Sequence, residues 1–132
     1  MSLRTKKSHA AYINAKQDSL PDVFTNTDGV VVFNMDRLEI LEDYMYWVRV
    51  PNRFPYDRFA SRNDMLIPKR PFWDLVDATQ EELEEFVSIK SRESENNTYD
   101  SVLENLHTNR SIPGHFHVHL IKWKDTEDYI CD

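Results

Sequence analysis

Residues 114–121 read Gly114-His115-Phe116-His117-Val118-His119-Leu120-Ile121. Histidine and apolar side chains alternate along this stretch, and successive side chains of a strand point to opposite faces. The alternation therefore predicts a half-buried strand with three imidazoles on one face and apolar side chains on the other. The apolar face needs a core to pack on, and three imidazoles on one face suggest a chemical site.

The composition is that of one acidic globular domain. The chain has 132 residues, a net charge of -7 and 40% hydrophobic residues, which fits a single domain with a real core. This charge argues against bulk binding to nucleic acid, and no apolar run approaches the roughly 20 residues that span a membrane. The basic N-terminal end lacks an apolar segment behind it, and the lone Cys131 cannot form an internal disulfide. Both features favour a reducing, cytoplasmic setting.

The order of predicted elements indicates an α+β fold. Strands are predicted at residues 30–33, 46–50, 65–67 and 99–106, with a turn at Asp28-Gly29 before the first and Pro68 ending the third. Residues 38–41 fit either a helical turn or a strand, residues 51–63 fit a loop, and residues 107–110 fit a turn. Thr79 and Glu82 match a capping box that begins the main helix, whose apolar stripe fades over residues 91–97. We therefore expect an antiparallel sheet that is covered on one face by this helix.

The N-terminal residues carry little information of this kind. Residues 1–22 are polar and weakly patterned, and we expect them to form an arm that could be poorly ordered or hold a short helix at residues 10–16. The domain itself is predicted to span residues 23–132.

Three interpretations of the histidine strand are possible from the residues alone. In the first, the imidazoles bind a metal ion, although His115 and His119 would lie about 13 Å apart on an extended strand and could not share one ion. In the second, the middle imidazole attacks phosphorus while a carbonyl holds its Nδ1–H, so that Nε2 keeps its lone pair. In the third, the histidines are polar residues on a solvated strand face.

Residues 115–121 resemble the His-φ-His-φ-His-φ-φ signature of the histidine triad (HIT) superfamily of nucleotide hydrolases and transferases. Two upstream segments are similar as well: residues 65–70 resemble the apolar strand that ends in Ile-Pro-Lys, and residues 74–83 resemble the stretch that opens the main helix of the family. The resemblance covers about residues 45–123 in matching order.

This resemblance implies a five-stranded antiparallel sheet, a homodimer and a nucleotide substrate, with no cofactor or metal. His117 would be the nucleophile that attacks the α-phosphorus of a nucleotide ester, anhydride or phosphoramidate. His119 would bind a phosphate oxygen or assist proton transfer, and His115 would orient the site. Asn105 could match the family asparagine near the phosphate.

Departures from the family pattern put the substrate in question. Ser111 stands where many members carry glutamine, Asn63 stands where many carry a histidine that supports the triad, and Pro71 stands at another frequent histidine position. Arg53 and Arg110 are added as candidate contacts to phosphate or base, although such arginines are more often surface charges. Trp123 continues the histidine face and could either wall the pocket or cover the end of the sheet.

The resemblance thus implies a hydrolase or transferase that acts at the α-phosphate of a nucleoside phosphoramidate, a dinucleoside polyphosphate or a related conjugate through a nucleotidyl-histidine. The altered surroundings of the triad leave a HIT-fold nucleotide-binding protein with little turnover as an alternative. A metal-dependent hydrolase is the third functional hypothesis.

Overall fold

The computed structural model describes residues 3–17 and 22–131. In these two ranges the chain forms two α-helices and seven β-strands. The helices are α1 (Lys6–Gln17) and α2 (Gln80–Asn96). The strands are β1 (Val23–Thr25), β2 (Val31–Phe33), β3 (Glu42–Asp43), β4 (Trp47–Pro51), β5 (Ala60–Pro68), β6 (Ser101–Leu103) and β7 (Val118–Trp123). Short 3₁₀ turns lie at Met35–Arg37, Leu75–Asp77, His107–Asn109 and Thr126–Asp128.

The chain is an α+β protein built on a five-stranded antiparallel sheet. Its strand order is β3-β4-β5-β7-β6, so the long strand β5 and the histidine-bearing strand β7 are central neighbours. Strands β1 and β2 form a separate antiparallel hairpin. The predicted turn between them is confirmed, because Gly29 has a φ of 78°, a conformation that residues with a Cβ rarely adopt.

Alternation over residues 115–120, which lead into and form the start of β7, divides the core into two sides. Phe116, Val118 and Leu120 are fully buried on one side, where Phe86 and Ile89 of α2 pack against them. Helix α2 begins with the predicted capping box: Thr79 Oγ1 accepts from the Glu82 backbone N–H at 3.1 Å, and the Glu82 carboxylate accepts from the Thr79 N–H at 2.7 Å. The opposite side of the sheet carries the histidines.

Several predicted boundaries were wrong. Helix α2 does not fray from residue 91 but continues to Asn96, because Glu93 is buried and Arg92 forms an ion pair with Glu42 of β3 at 2.7 Å. Strand β5 ends at Pro68 as expected but already begins at Ala60, inside the predicted loop. Its first residues are polar and irregularly paired, and only the pairing with β7 identifies them as strand.

Two further strands are shorter than predicted. The strand expected over residues 99–106 covers only Ser101–Leu103, and β7 begins at Val118. Residues 115–117 are not part of the strand. The Phe116 N–H donates to the Phe72 carbonyl at 2.7 Å instead of to a neighbouring strand of the sheet. Residues 38–41, which fitted either a helical turn or a strand, connect the 3₁₀ turn at Met35–Arg37 to β3.

Residues 3–17 are built into the fold. The predicted short helix at residues 10–16 lies within the longer α1, and residues 1–2 and 18–21 of the predicted arm are outside the described residues. Neither helix in the described ranges is long and apolar enough to cross a membrane.

Candidate active site

The three histidines of the triad stretch are buried side by side between β5, β7 and the hairpin. His115, His117 and His119 expose only 1%, 5% and 4% of their surface. The interpretation of a solvated strand face is therefore wrong. Burial of polar rings requires that their nitrogens find partners or face a cavity, so the partners of each nitrogen define what each ring can do.

His115 uses both ring nitrogens to hold the structure together. Its Nδ1 accepts a hydrogen bond from the Phe33 N–H of β2 at 3.0 Å, and its Nε2–H donates to the Pro68 carbonyl at the end of β5 at 2.7 Å. Burial lowers the pKa of His115 to about 4, against the opposing effect of the Pro68 carbonyl. The ring is neutral near pH 7 and ties the hairpin to the central sheet.

His117 has the opposite tautomer. Its Nδ1–H donates to the His115 carbonyl at 3.0 Å, so Nε2 carries the lone pair. The Phe33 ring contacts it edge-on with ring centroids 5.1 Å apart. Burial lowers the pKa of His117, and the nearby charge of Arg110 acts in the same direction. His117 therefore presents an unprotonated nitrogen to the cavity that it lines.

His119 belongs to a fixed polar network. The Asn63 side-chain oxygen accepts from the backbone N–H of Tyr56 at 3.0 Å, which identifies the other end of the amide as the nitrogen that donates to His119 Nδ1 at 3.2 Å. His119 Nε2 therefore carries the proton and donates to the Tyr56 hydroxyl at 3.2 Å, and that hydroxyl also accepts from Asn105 Nδ2 at 3.1 Å. Burial lowers the pKa of His119 to about 3, with further contributions from His117 and the charge of Arg4.

A cavity of about 430 Å³ opens beside His117 and His119. This volume lies in the range of small-molecule sites. Its wall combines apolar side chains, among them Phe33 and Phe54, with polar groups that include the predicted Ser111 and Arg53. Arg53 is half exposed and forms an ion pair with Asp22 at 3.5 Å.

A second cavity of about 560 Å³ adjoins the first across Ser111 and Ile112. It lies under the β1–β2 hairpin, where Val30 approaches Gly114 so closely that a Cβ at residue 114 would lie 2.2 Å from Val30 Cγ1. Any side chain at residue 114 would therefore force Val30 to move.

Seven of the eight predicted site residues lie at the cavity or directly behind it. His117, His119, Ser111 and Arg53 line the first cavity, whereas His115, Asn63 and Asn105 stand behind it and act through hydrogen bonds.

Arg110 is not brought to the cavity. Its buried guanidinium donates to the carbonyls of Asn105, Trp73 and Pro113 and forms an ion pair with Asp74 at 2.8 Å, so it braces the loop before the triad. Trp123 does not line the cavity either, and its Nε1–H donates to Ser101 Oγ at 2.8 Å.

Several residues that line the cavity were not predicted as site residues, and four of them bear on the triad. Phe33 was assigned to an apolar strand, and nothing in that pattern distinguishes a cavity wall from a core. Arg4 and Tyr12 come from the N-terminal segment, whose weak patterning contains no sign that it reaches the triad. Tyr56 was noted only as part of a loop, and its role depends on the distant His119.

The three imidazoles of the triad have few free nitrogen lone pairs with which to coordinate a metal ion. His115 Nδ1 and His119 Nδ1 already accept hydrogen bonds, which leaves His117 Nε2 as the one ring lone pair of the triad that faces the cavity. Among the residues that the structure describes, no group of three or more His, Cys, Asp or Glu side chains is arranged to hold a metal ion. A single imidazole nitrogen is better suited to nucleophilic attack than to chelation.

The chain matches no known family model, and no curated protein sequence matches it significantly.

Proposed function

We propose that this protein is a HIT-like nucleotide hydrolase or nucleotidyl transferase that acts at the α-phosphate of a nucleoside phosphoramidate, a dinucleoside polyphosphate or a related conjugate. The observation that carries the proposal is the state of His117. Its Nδ1–H is held by the His115 carbonyl at 3.0 Å, and its neutral Nε2 lines a cavity of about 430 Å³. The resemblance of residues 115–121 to the triad signature supplies the substrate class.

The first chemical step follows from this tautomer. His117 Nε2 forms a bond to the α-phosphorus while the bond from phosphorus to the leaving group breaks, and the leaving group takes up a proton from solvent water. The imidazole becomes positively charged as it is phosphorylated. Its Nδ1–H then donates to the His115 carbonyl more strongly, so an acceptor that is already in place stabilises the charge that develops.

The second step restores the enzyme. The oxygen of water, or of another acceptor, bonds to phosphorus while the P–N bond to His117 breaks, and the acceptor loses its proton. Because the pKa of His117 is lowered, the ring that leaves phosphorus is a neutral imidazole at neutral pH and is ready for another cycle. Ser111 lines the same cavity, and its hydroxyl would donate to a phosphate oxygen or to the leaving group.

The test is release of nucleoside monophosphate from adenosine and guanosine phosphoramidates and dinucleoside polyphosphates, with EDTA present. We expect release by the native chain and none by His117→Ala. His117→Gly provides a matched control, because added imidazole should restore turnover if the missing group is a nucleophile. Mass spectrometry of quenched native protein should show one nucleotidyl group on His117. Release that survives His117→Ala would contradict the proposal.

One observation favours a second candidate, a nucleotide-binding protein with little turnover. Both nitrogens of His119 are engaged, with Asn63 and Tyr56, and an asparagine at residue 63 cannot relay a proton as a histidine could. The leaving group would then lack an efficient proton donor. Under this candidate the native chain binds nucleotide, as measured by calorimetry, but releases no product from any substrate of the panel.

The resemblance also implies that the chain is a homodimer, and we include this in the proposal. Light scattering of the purified chain should give twice the 15.7 kDa mass of one chain. A mass of one chain would remove homodimerisation from the proposal and leave the chemistry of His117 untouched.

A further inference from the structure

The N-terminal segment, residues 3–17, forms part of the wall of the His117 cavity. Arg4 and Tyr12 line this cavity together with His117 and His119. Most side chains of the first turns of α1 are exposed, so apolar burial contributes little to holding the helix in place. Polar contacts hold the start of the helix in place.

Asp57 provides those contacts. Its carboxylate accepts from the Thr5 N–H at 2.8 Å, from the Thr5 hydroxyl at 3.0 Å and from the Ser8 hydroxyl. Thr5 Oγ1 in turn accepts from the Ser8 N–H at 3.2 Å, as an N-cap of α1 does. Burial raises the pKa of Asp57, but the hydrogen bonds from Ser8 and Thr5 outweigh it and leave the pKa lowered. The start of α1 is thus fastened to the turn that carries Tyr56.

Arg4 is held in one orientation by this arrangement. Its Nε–H donates to the Phe54 carbonyl at 2.6 Å, and its guanidinium carbon lies 4.5 Å from the Tyr12 ring centroid and 4.9 Å from that of Tyr56. Tyr56 contacts His119, so a fixed positive charge stands at the His119 end of the cavity. That charge contributes to the lowered pKa of His119.

Arg4 is a candidate for binding an anion, because it lines the cavity and packs on Tyr56, which contacts His119. The chain carries a net charge of -7, so a polyphosphate needs local cations to approach. Arg4 is packed between aromatic rings next to the triad, where its charge is less screened than at the surface.

We propose that Arg4 binds an anionic phosphate oxygen beyond the α-phosphate of the substrate, with Asp57 as the residue that positions it. The substrate class would then be a nucleotide with an anionic leaving group, such as a dinucleoside polyphosphate, in preference to a phosphoramidate. A fixed cation attracts a departing phosphate and repels a departing amine, which becomes an ammonium ion. This inference rests on the proposed function and adds the leaving-group class to it.

The test compares binding of nucleoside triphosphates and monophosphates, of adenosine and of guanosine, by calorimetry in a His117→Ala background that prevents turnover. Arg4→Met keeps the length of the side chain and removes the charge, and Lys7→Met removes a charge from an exposed residue of the same helix outside the cavity wall. We expect Arg4→Met to weaken triphosphate binding on the order of tenfold or more and monophosphate binding far less. Lys7→Met should leave both unchanged, and Arg4→Lys should retain part of the preference.

A double-mutant cycle separates positioning from folding. Asp57→Ala should also weaken triphosphate binding more than monophosphate binding, and adding Arg4→Met to it should cause little further loss. A general loss of folding would weaken both ligands alike and would shift the melting temperature.

Several outcomes would overturn the inference. Equal binding by Arg4→Met and Lys7→Met would do so, and so would an equal loss for triphosphate and monophosphate. Either result, together with product release that disappears in His117→Ala in the otherwise native chain, would leave the proposed function standing. No binding of any nucleotide and no product release by the native chain would overturn both.

Discussion

Acidification from about pH 7.5 to about pH 5 should strongly lower the free energy of unfolding of this protein, because the fold buries neutral imidazoles. An exposed imidazole titrates near 6.5, whereas the pKa of His115 is lowered to about 4 and that of His119 to about 3. Between these values the unfolded chain binds more protons than the folded chain, so the free energy of unfolding falls as the pH falls. The stability that the buried neutral imidazoles contribute is fully retained above about pH 6.5.

The magnitude follows from the size of this window. One pH unit corresponds to about 1.4 kcal/mol for each imidazole, so 1.5 units between pH 6.5 and pH 5 cost about 2 kcal/mol each and about 4 kcal/mol for two. His117, whose pKa is also lowered, acts in the same direction. Carboxylates with lowered pKa values, such as Glu42 and Asp57, lose their contribution only at lower pH and leave this window to the histidines.

Urea unfolding at a series of pH values measures this dependence. His115→Gln should reduce the slope by about one proton, even if it lowers the stability at pH 7. His9→Gln, the same change at an exposed residue of α1, is the matched control. A free energy of unfolding that stays flat from about pH 7 to about pH 5 would refute the assignment of buried neutral rings.

Three further changes test the hydrogen bonds and the packing around the site. Thr79→Ala removes the N-cap of α2 and should lower the free energy of unfolding by about 1 kcal/mol in urea titrations. Tyr56→Phe removes the acceptor of the His119 Nε2–H, and the unpaired buried donor should cost about 1–3 kcal/mol by the same measurement. Gly114→Ala forces Val30 to move, so it should cost about 1–3 kcal/mol and speed hydrogen exchange in the β1–β2 hairpin.

Each of these changes has its own control or contrary result. Thr27→Ala removes a threonine side chain from an exposed position of the hairpin turn and should be nearly silent beside Thr79→Ala. Tyr129→Phe deletes a hydroxyl outside the triad network, so a loss as large as that of Tyr56→Phe would speak against the role of His119. Unchanged exchange rates in Gly114→Ala would show that the hairpin does not depend on this close approach.

The sequence alone was sufficient for the features that depend on neighbours along the chain. Alternation over residues 114–121 placed the histidines opposite Phe116, Val118 and Leu120, because a strand has a side-chain period of two. The capping box at Thr79 and the turn at Gly29 are local in the same sense. The five-stranded antiparallel sheet, which came from the resemblance, is present in the structure. The ends of α2 and β5 were misjudged because contacts with β3 and β7, distant along the chain, determine them.

The chemical state of the site was decided by tertiary structure. The tautomer of His115 depends on Phe33 and Pro68, and that of His119 depends on Asn63 and Tyr56, which lie on other elements. No pattern within residues 114–121 contains these partners. A guanidinium also binds whichever carbonyl or anion the fold brings to it. The Arg110 guanidinium therefore binds carbonyls of its own loop. Arg4, from the weakly patterned N-terminal segment, lines the cavity beside the triad.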